Sequence, residues 1–258
     1  MRVLGRIGLG AILPIAVFII WWFTSKGSTS PYFPPLSDSV HAFFSDWFFE
    51  RFTSDLVPTI IWFYSGLAIG AVVGVALGIL MGLYARLRRD LWPMTEFVRS
   101  IPTAGLVPLF LLFFGAGFWM ETLLCALAVF FQVLISTIDA VHGIDPVQVE
   151  VARVYGLSKR QSLRVILLPA AMPQVMAGLR IGISIGLAAV IIANMVASSE
   201  GLGFFLINAQ TTYDIPGMWG ALFLIGILGF LVNAVFLLFQ HRVLAWHRGW
   251  RATTRAAK

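Results

Sequence analysis

Gly182, Ser184 and Gly186 form the pattern G-x-S-x-G, the spacing that presents a serine nucleophile on a sharp strand-to-helix turn. That chemistry needs a histidine and a carboxylate beside the serine. Ser184 instead lies in the body of an uncharged apolar run, and the four histidines, at 41, 142, 241 and 247, fall at the ends of such runs or outside them. No catalytic residue is assigned. Proton-coupled transport is a second chemistry, and it requires a titratable group well inside a membrane. Glu121, Asp139, His142, Arg180 and Glu200 all sit at or near run ends, where they reach water, which argues against it. No metal ligands are assigned, and the single cysteine, Cys125, lies within an apolar run with no partner in its own chain. The phosphate-binding pattern G-x4-G-K-[ST] is absent, so the chain does not hold ATP by that device.

What remains is a charged segment, EVARVYGLSKRQSLRVILLP at 150–169, set between apolar runs. Asp145 before Pro146, with Gln148 three residues on, marks a helix start. Gly156 is its natural stop. Ser158 with Gln161 makes a capping box for a second helix, which is expected to run until Pro169. Two short helices around a glycine bend are unstable alone in water, so they need a partner surface outside the membrane.

The elements that position this segment follow from composition. With 59% hydrophobic and 12% charged residues, and a mean hydropathy of +0.88, the chain is expected to be an all-α integral membrane protein. Uncharged runs at 7–25, 56–85, 100–120, 122–138, 181–199 and 215–241 each approach or exceed the roughly 17 to 25 residues of a spanning helix, giving six crossings. An inside N-terminus places 16 of the 18 Lys and Arg residues inside, leaving only Lys26 and Arg51 outside. Both termini are therefore expected in the cytoplasm. That topology accounts for the net charge of +6, and no nucleic-acid site is read into it. Arg2 and Arg6 precede an apolar core at 7–23 without an A-x-A site behind it, so the first run reads as a retained anchor. Residues 31–52 are Pro-punctuated, then aromatic. Asp46, Glu50, Arg51 and Asp55 are expected to keep this stretch wet, with an interfacial helix placing Trp47 at headgroup depth.

Within the crossings, Gly66, Gly70, Gly74, Gly78 and Gly82 recur every four residues and indicate a face for close helix packing, a device repeated by Gly178, Gly182 and Gly186. Pro102, Gly105 and Pro108 interrupt the third crossing, as a pore-lining element or as a simple kink. Gln132, Ser184 and Asn194, with Asn208, Gln210, Thr211 and Thr212, offer uncharged hydrogen bonds to a passage or to helix packing. After the last crossing, Trp246 and Trp250 interleave with Arg242, Arg248 and Arg251, which suits the inner headgroup layer.

Glu150, Ala152, Gly156, Ile166, Leu168 and Pro169 match the spacing E-A-A-x3-G-x9-I-x-L-P, with Val151 in place of the second residue. In this the chain resembles permease subunits of binding-protein-dependent ABC importers. FVRSIPTAGLVPLFLLFFGAGF, LPAAMPQVMAGLRIGISIG and ASSEGLGFFL are similar to the branch importing nitrate, sulfonates and taurine. The resemblance implies the type I importer permease fold in the bacterial inner membrane. It divides the chain into an N-terminal helix with an extracytoplasmic segment (1–55), the permease domain (56–242) with a coupling loop at about 139–175, and a basic tail (243–258). It implies that the loop docks on a cytoplasmic ATPase, with Glu150, Ala152 and Gly156 in the docking surface and bend and Ile166, Leu168 and Pro169 at its exit. ATP and Mg would belong to that ATPase, and no cofactor to this chain. Implied partners are the ATPase subunits, an extracytoplasmic solute-binding protein, a second permease copy and lipid. Gln132, Ser184 and Asn194 become candidates for the translocation path of a small, anionic solute. A thiamine-precursor or flavin-like cargo is the alternative, and a proton-coupled secondary transporter a more distant one.

Overall fold

Lipid offers no hydrogen bonds, so a chain with long apolar runs satisfies its backbone internally as helix. The computed structural model describes residues 2–28, 30, 32–47 and 51–246, and every regular element among them is helical. α1 (Arg2–Ser25) and α2 (Leu36–Ser45) come first, and a π-helical turn (Phe52–Leu56) leads into α3 (Val57–Leu83). Next are α4 (Ala85–Arg99), a 3-10 turn (Thr103–Leu106) and α5 (Val107–Phe114). α6 (Phe118–His142) is followed by α7 (Pro146–Val154), α8 (Lys159–Ser162), a second π-helical turn (Leu163–Leu167) and α9 (Leu168–Ala197). α10 (Leu202–Thr211) and α11 (Ile215–Val243) complete the order.

Four of these helical stretches, Phe52–Leu83, Phe118–His142, Lys159–Ala197 and Ile215–Val243, are long and apolar enough to span a membrane. The crossing expected at 100–120 is not one continuous helix. The chain bends by 84° between α4 and the 103–114 stretch, because Pro102 donates no hydrogen bond and is held extended (φ −58°, ψ 126°). Contacts show that the bent pair still traverses the bundle. Gly66 faces Cys125 and Gly82 faces Val141, so α3 and α6 run parallel, and the chain between them must return the full length. Accordingly, Leu87, Leu91 and Val98 pack with Leu134 and Ile138, while Val107 and Phe110 pack with Met120 and Leu124 at the other end. With this pair the spans among the described residues number five. The first of the six expected crossings falls on α1, whose described apolar part is Ile15–Ser25.

α6 is the centre of the bundle, clasped between α3 and α9. A methyl group added at Gly66, Gly70, Gly74, Gly78 or Gly82 would lie 2.5, 2.5, 3.0, 2.6 or 2.7 Å from atoms of Cys125, Ala126, Phe130, Thr137 or Val141, so α6 approaches along the whole glycine face. On its other flank Gly178 meets Ser136 and Gly186 meets Val129, with the order reversed as an antiparallel pair requires.

Several sequence expectations are corrected by packing. Trp47 is 2% exposed and meets Phe205 edge-on at 5.0 Å, so it is a core residue rather than a headgroup anchor. α2 is held against α11, where the backbone of Phe43 lies over Gly220. Asp55 is likewise buried instead of wet. Pro169 does not end the helix. The π-helical turn widens the backbone just before it, Pro169 occupies the first turn of α9 where no N–H is needed, and the helix continues to Ala197. Glu50 and residues 247–258 of the expected tail, with Arg248, Trp250 and Arg251, lie outside the described residues, as do the side chains of Arg2 and Arg6.

Gly70→Val drives a branched side chain into the α6 backbone and is expected to cost about 1–3 kcal/mol of stability. Gly226→Ala in α11, where nothing lies within 4 Å, is expected to be neutral or slightly stabilising. Thermal unfolding of the two variants in the same detergent checks the contrast.

Candidate functional site

The segment between α6 and α9 folds by local chemistry. Asp145 caps α7 by accepting from Val147 N at 2.9 Å, and Pro146 fills the first helical position. α7 ends in a Schellman motif: Gly156 takes a left-handed φ of +66°, its N–H donates to Arg153 O, and Leu157 N–H donates to Ala152 O, both at 3.0 Å. Ser158 then starts α8 with a complete capping box, Ser158 N–H donating to Gln161 Oε1 at 2.9 Å and Gln161 N–H to Ser158 Oγ at 3.4 Å. From α8 the chain runs helically through the π turn into α9.

This loop presents Val147, Val151, Val154 and Tyr155 on one side of α7, with Val154 84% and Tyr155 78% exposed. Glu150 is exposed beside them. Ala152 faces the other way and is buried, so its small size serves the packing of the loop on its own chain. A groove of about 680 Å³ runs under α7, lined by Val147, Val151, Ile166, Pro169 and Trp246. Leu168 lies on the opposite side, with Val75, Val141 and Ala171 of the bundle. The six loop positions singled out from the sequence thus separate into an exposed one (Glu150), a bend (Gly156) and four that seat the loop.

The uncharged polar residues do not converge. Gln132 is half-buried on α6. Asn194 is fully buried with its side-chain amide 3.2 Å from the Thr59 hydroxyl, which donates its proton to Asp55 O at 2.8 Å and accepts from Leu202 N–H at 3.0 Å. Asp55 accepts from Gly201 N–H at 2.9 Å and pairs with Arg51 at 3.4 Å. These bonds tie the start of α3 to the turn between α9 and α10. Glu121, expected to reach water, is enclosed at 0% exposure beside this cluster, and neither carboxylate oxygen completes a hydrogen bond among the described residues. Its place in the first turn of α6 was legible; its burial was not. Thr211 and Thr212 donate to Asn208 O and close the end of α10.

Ser184 has a different setting. It is exposed on α9 and lines a cavity of about 570 Å³ between α9 and α11, together with Arg180, Asn233 and Gln240. Sequence reading missed this group, because it placed Arg180 at a helix end. α9 begins at Leu168, not 181, so Arg180 belongs to the body of a helix. Asn233 and Gln240 share the seven-residue spacing of one helix face, a signal available in the sequence but unremarkable without its neighbour.

The family described as binding-protein-dependent transport system inner membrane component matches residues 74–246. The chain is 28% identical over 185 residues to a putative aliphatic sulfonates transport permease of Bacillus subtilis, covering 72% of this chain and 67% of that protein. It is 26% identical over 234 residues to a formylaminopyrimidine transport permease of Halalkalibacterium halodurans, covering 91% and 94%. To the taurine transport system permease of Escherichia coli it is 29% identical over 174 residues, covering 67% and 63%. Among solved structures it shares the fold of a chain of the inward-facing MetNI methionine ABC transporter, with a TM-score of 0.65 at 20% identity over 73% of this chain and 94% of that one.

Thr59→Val removes the acceptor of Leu202 N–H and the donor to Asp55 O in a buried setting, and is expected to destabilise by about 1–3 kcal/mol. Thr212→Val, at an exposed position, is expected to change little. Hydrogen exchange of the 198–202 turn, compared between the two variants, checks the effect.

Proposed function

The chain belongs to the family of binding-protein-dependent transport system inner membrane components, and on that footing we propose that it is the spanning permease subunit of an ATP-driven importer for a small anionic solute. It is a multi-pass inner-membrane protein, and the type I importer permease fold is that of its structural relatives. The observation that carries the proposal is the loop between α6 and α9. It is locally over-specified by a cap, a Schellman motif and a capping box, yet leaves an apolar face with Glu150 beside it open at the end of the bundle. A surface so well formed and so uncovered suits docking on a partner that must be pushed and pulled, here a cytoplasmic ATPase that holds ATP and Mg.

The remaining parts of the proposal follow from that docking. The loop faces the cytoplasm, as do both termini, because the basic residues gather on its side. One loop per chain and two ATPases per importer call for a second permease copy. An extracytoplasmic binding protein delivers the solute to the opposite end. Sulfonate and taurine permeases among the relatives favour an anionic cargo. A thiamine-precursor cargo is the second reading, favoured by the formylaminopyrimidine permease, which matches over 94% of its length.

Gly156→Val forces a β-branched residue into a left-handed conformation and displaces α8 relative to α7. Insertion into the membrane is expected to be unchanged, while the ATPase recovered with the permease falls by about tenfold, as a penalty of 1–2 kcal/mol in the docked geometry requires. Unchanged co-purification and transport would refute the coupling assignment. Uptake of taurine, an alkanesulfonate, nitrate and formylaminopyrimidine by the assembled importer decides the cargo.

A further inference from the structure

We propose that the cavity between α9 and α11 is a transient binding site for the anionic group of the transported solute, with Arg180 as its cation and Ser184, Asn233 and Gln240 as neutral hydrogen-bonding partners. The inference rests on the importer reading above and adds to it the site and its charge selectivity.

α9 has two unlike faces. Gly178, Gly182 and Gly186 press on α6, while Ala177, Arg180, Ile181, Ser184 and Ala188, at helical spacing, are left open by this chain. Arg180 stands toward the interfacial end of this face, and the Ser184 hydroxyl follows one turn deeper. Arg180 makes no ion pair or hydrogen bond among the described residues. Among the described residues no carboxylate lines its cavity.

Depth is consistent from both helices. At 1.5 Å per residue, about 26 Å of α9 separate Arg180 from Ala197, and about 27 Å of α11 separate Asn233 from Ile215. Measured from that end, both reach the far edge of a hydrocarbon core about 30 Å thick. The site therefore sits toward the end that carries the coupling loop, and α9 is continuous with that loop through α8 and the π turn.

The donor set names the ligand class. A guanidinium presents planar, paired N–H donors that match the oxygens of a sulfonate or carboxylate. The hydroxyl and amides add donors without adding charge, and Ile181 and Ile185 supply an apolar wall for a short alkyl portion. A single cation in an open cavity attracts an oxyanion without trapping it, as a site of passage needs. A cationic solute finds no counter-charge there.

The test uses Ser184→Cys in the full importer, since the native Cys125 is fully buried and gives a silent background. The modification rates by anionic 2-sulfonatoethyl methanethiosulfonate and cationic 2-(trimethylammonium)ethyl methanethiosulfonate are each divided by the rate with a free thiol. The anionic reagent is expected to be favoured, and Arg180→Gln to lower that preference by about fivefold or more, in line with removal of a unit charge a few ångströms away. Taurine delivered by the binding protein is expected to slow the anionic reaction. A preference unaffected by Arg180→Gln, or no reaction with either reagent, would overturn the site. Should Arg180→Gln fail to accumulate, absence of protection by saturating taurine in the Ser184→Cys protein would do the same. Uptake in the same membranes separates the two levels of failure. Taurine import without the charge preference removes this site alone, whereas import restricted to a solute that carries no anionic group removes the proposed cargo and the assignment with it.

Discussion

The close approach of α3 and α9 to opposite flanks of α6 is the contact on which the remaining architecture depends. In lipid there is little hydrophobic force between apolar helices, so association rests on dispersion and shape, which reward backbones that come very near. Glycine at every fourth position of α3 supplies one such face, and Gly178, Gly182 and Gly186 of α9 supply the other. The side chains that fill the seam, Cys125, Val129 and Val133, belong to α6 and are fully buried. Because α3 and α6 then lie parallel, the intervening chain has to recross the bundle, and it does so with a sharp bend at Pro102 in place of a straight helix.

The same arrangement links the loop to the membrane. α6 enters the loop and α9 leaves it, so both ends of the docking segment are anchored in the tightest packed pair of the molecule after α3 and α6. On the exit side there is no hinge residue. α8, the π turn and α9 form one continuous helical path on which Pro169 is accommodated rather than disruptive. A displacement of α8 is thereby carried along the axis of the helix that bears Arg180 and Ser184. The bend lies on the other side, at Gly156, where a left-handed residue separates α7 from α8.

Polar groups within the span fall into two kinds, and burial tells them apart. Asp55, Thr59 and Asn194 are enclosed, and the bonds that Asp55 and Thr59 make to each other's segment and to the turn at Gly201 and Leu202 fasten three helices together at one end, with Asn194 Nδ2 left unpaired among the described residues. Arg180, Ser184, Asn233 and Gln240 surround open space toward the other end and leave hydrogen-bonding capacity unused. The first kind holds structure; the second is available to a ligand. Glu121 stands between them, enclosed like the first and unsatisfied like the second.

The order of residues alone was enough for the membrane environment, the glycine faces and the local chemistry of the loop, since each depends on patterns within a few positions: apolar run length, spacing of four, Asp-Pro, a left-handed glycine and Ser-x-x-Gln. It was not enough for anything decided by neighbours far along the chain. Whether Asp55 or Trp47 meets water depends on Gly201 and Phe205, more than 140 positions away, and Arg180 acquires Asn233 and Gln240 only when α11 folds back along α9. Pro169 shows the same limit at short range, because a proline ends a helix only if the preceding turn cannot widen, and here it does. Local backbone preferences are written in adjacent residues, whereas solvent access and electrostatic company are properties of the packed helices.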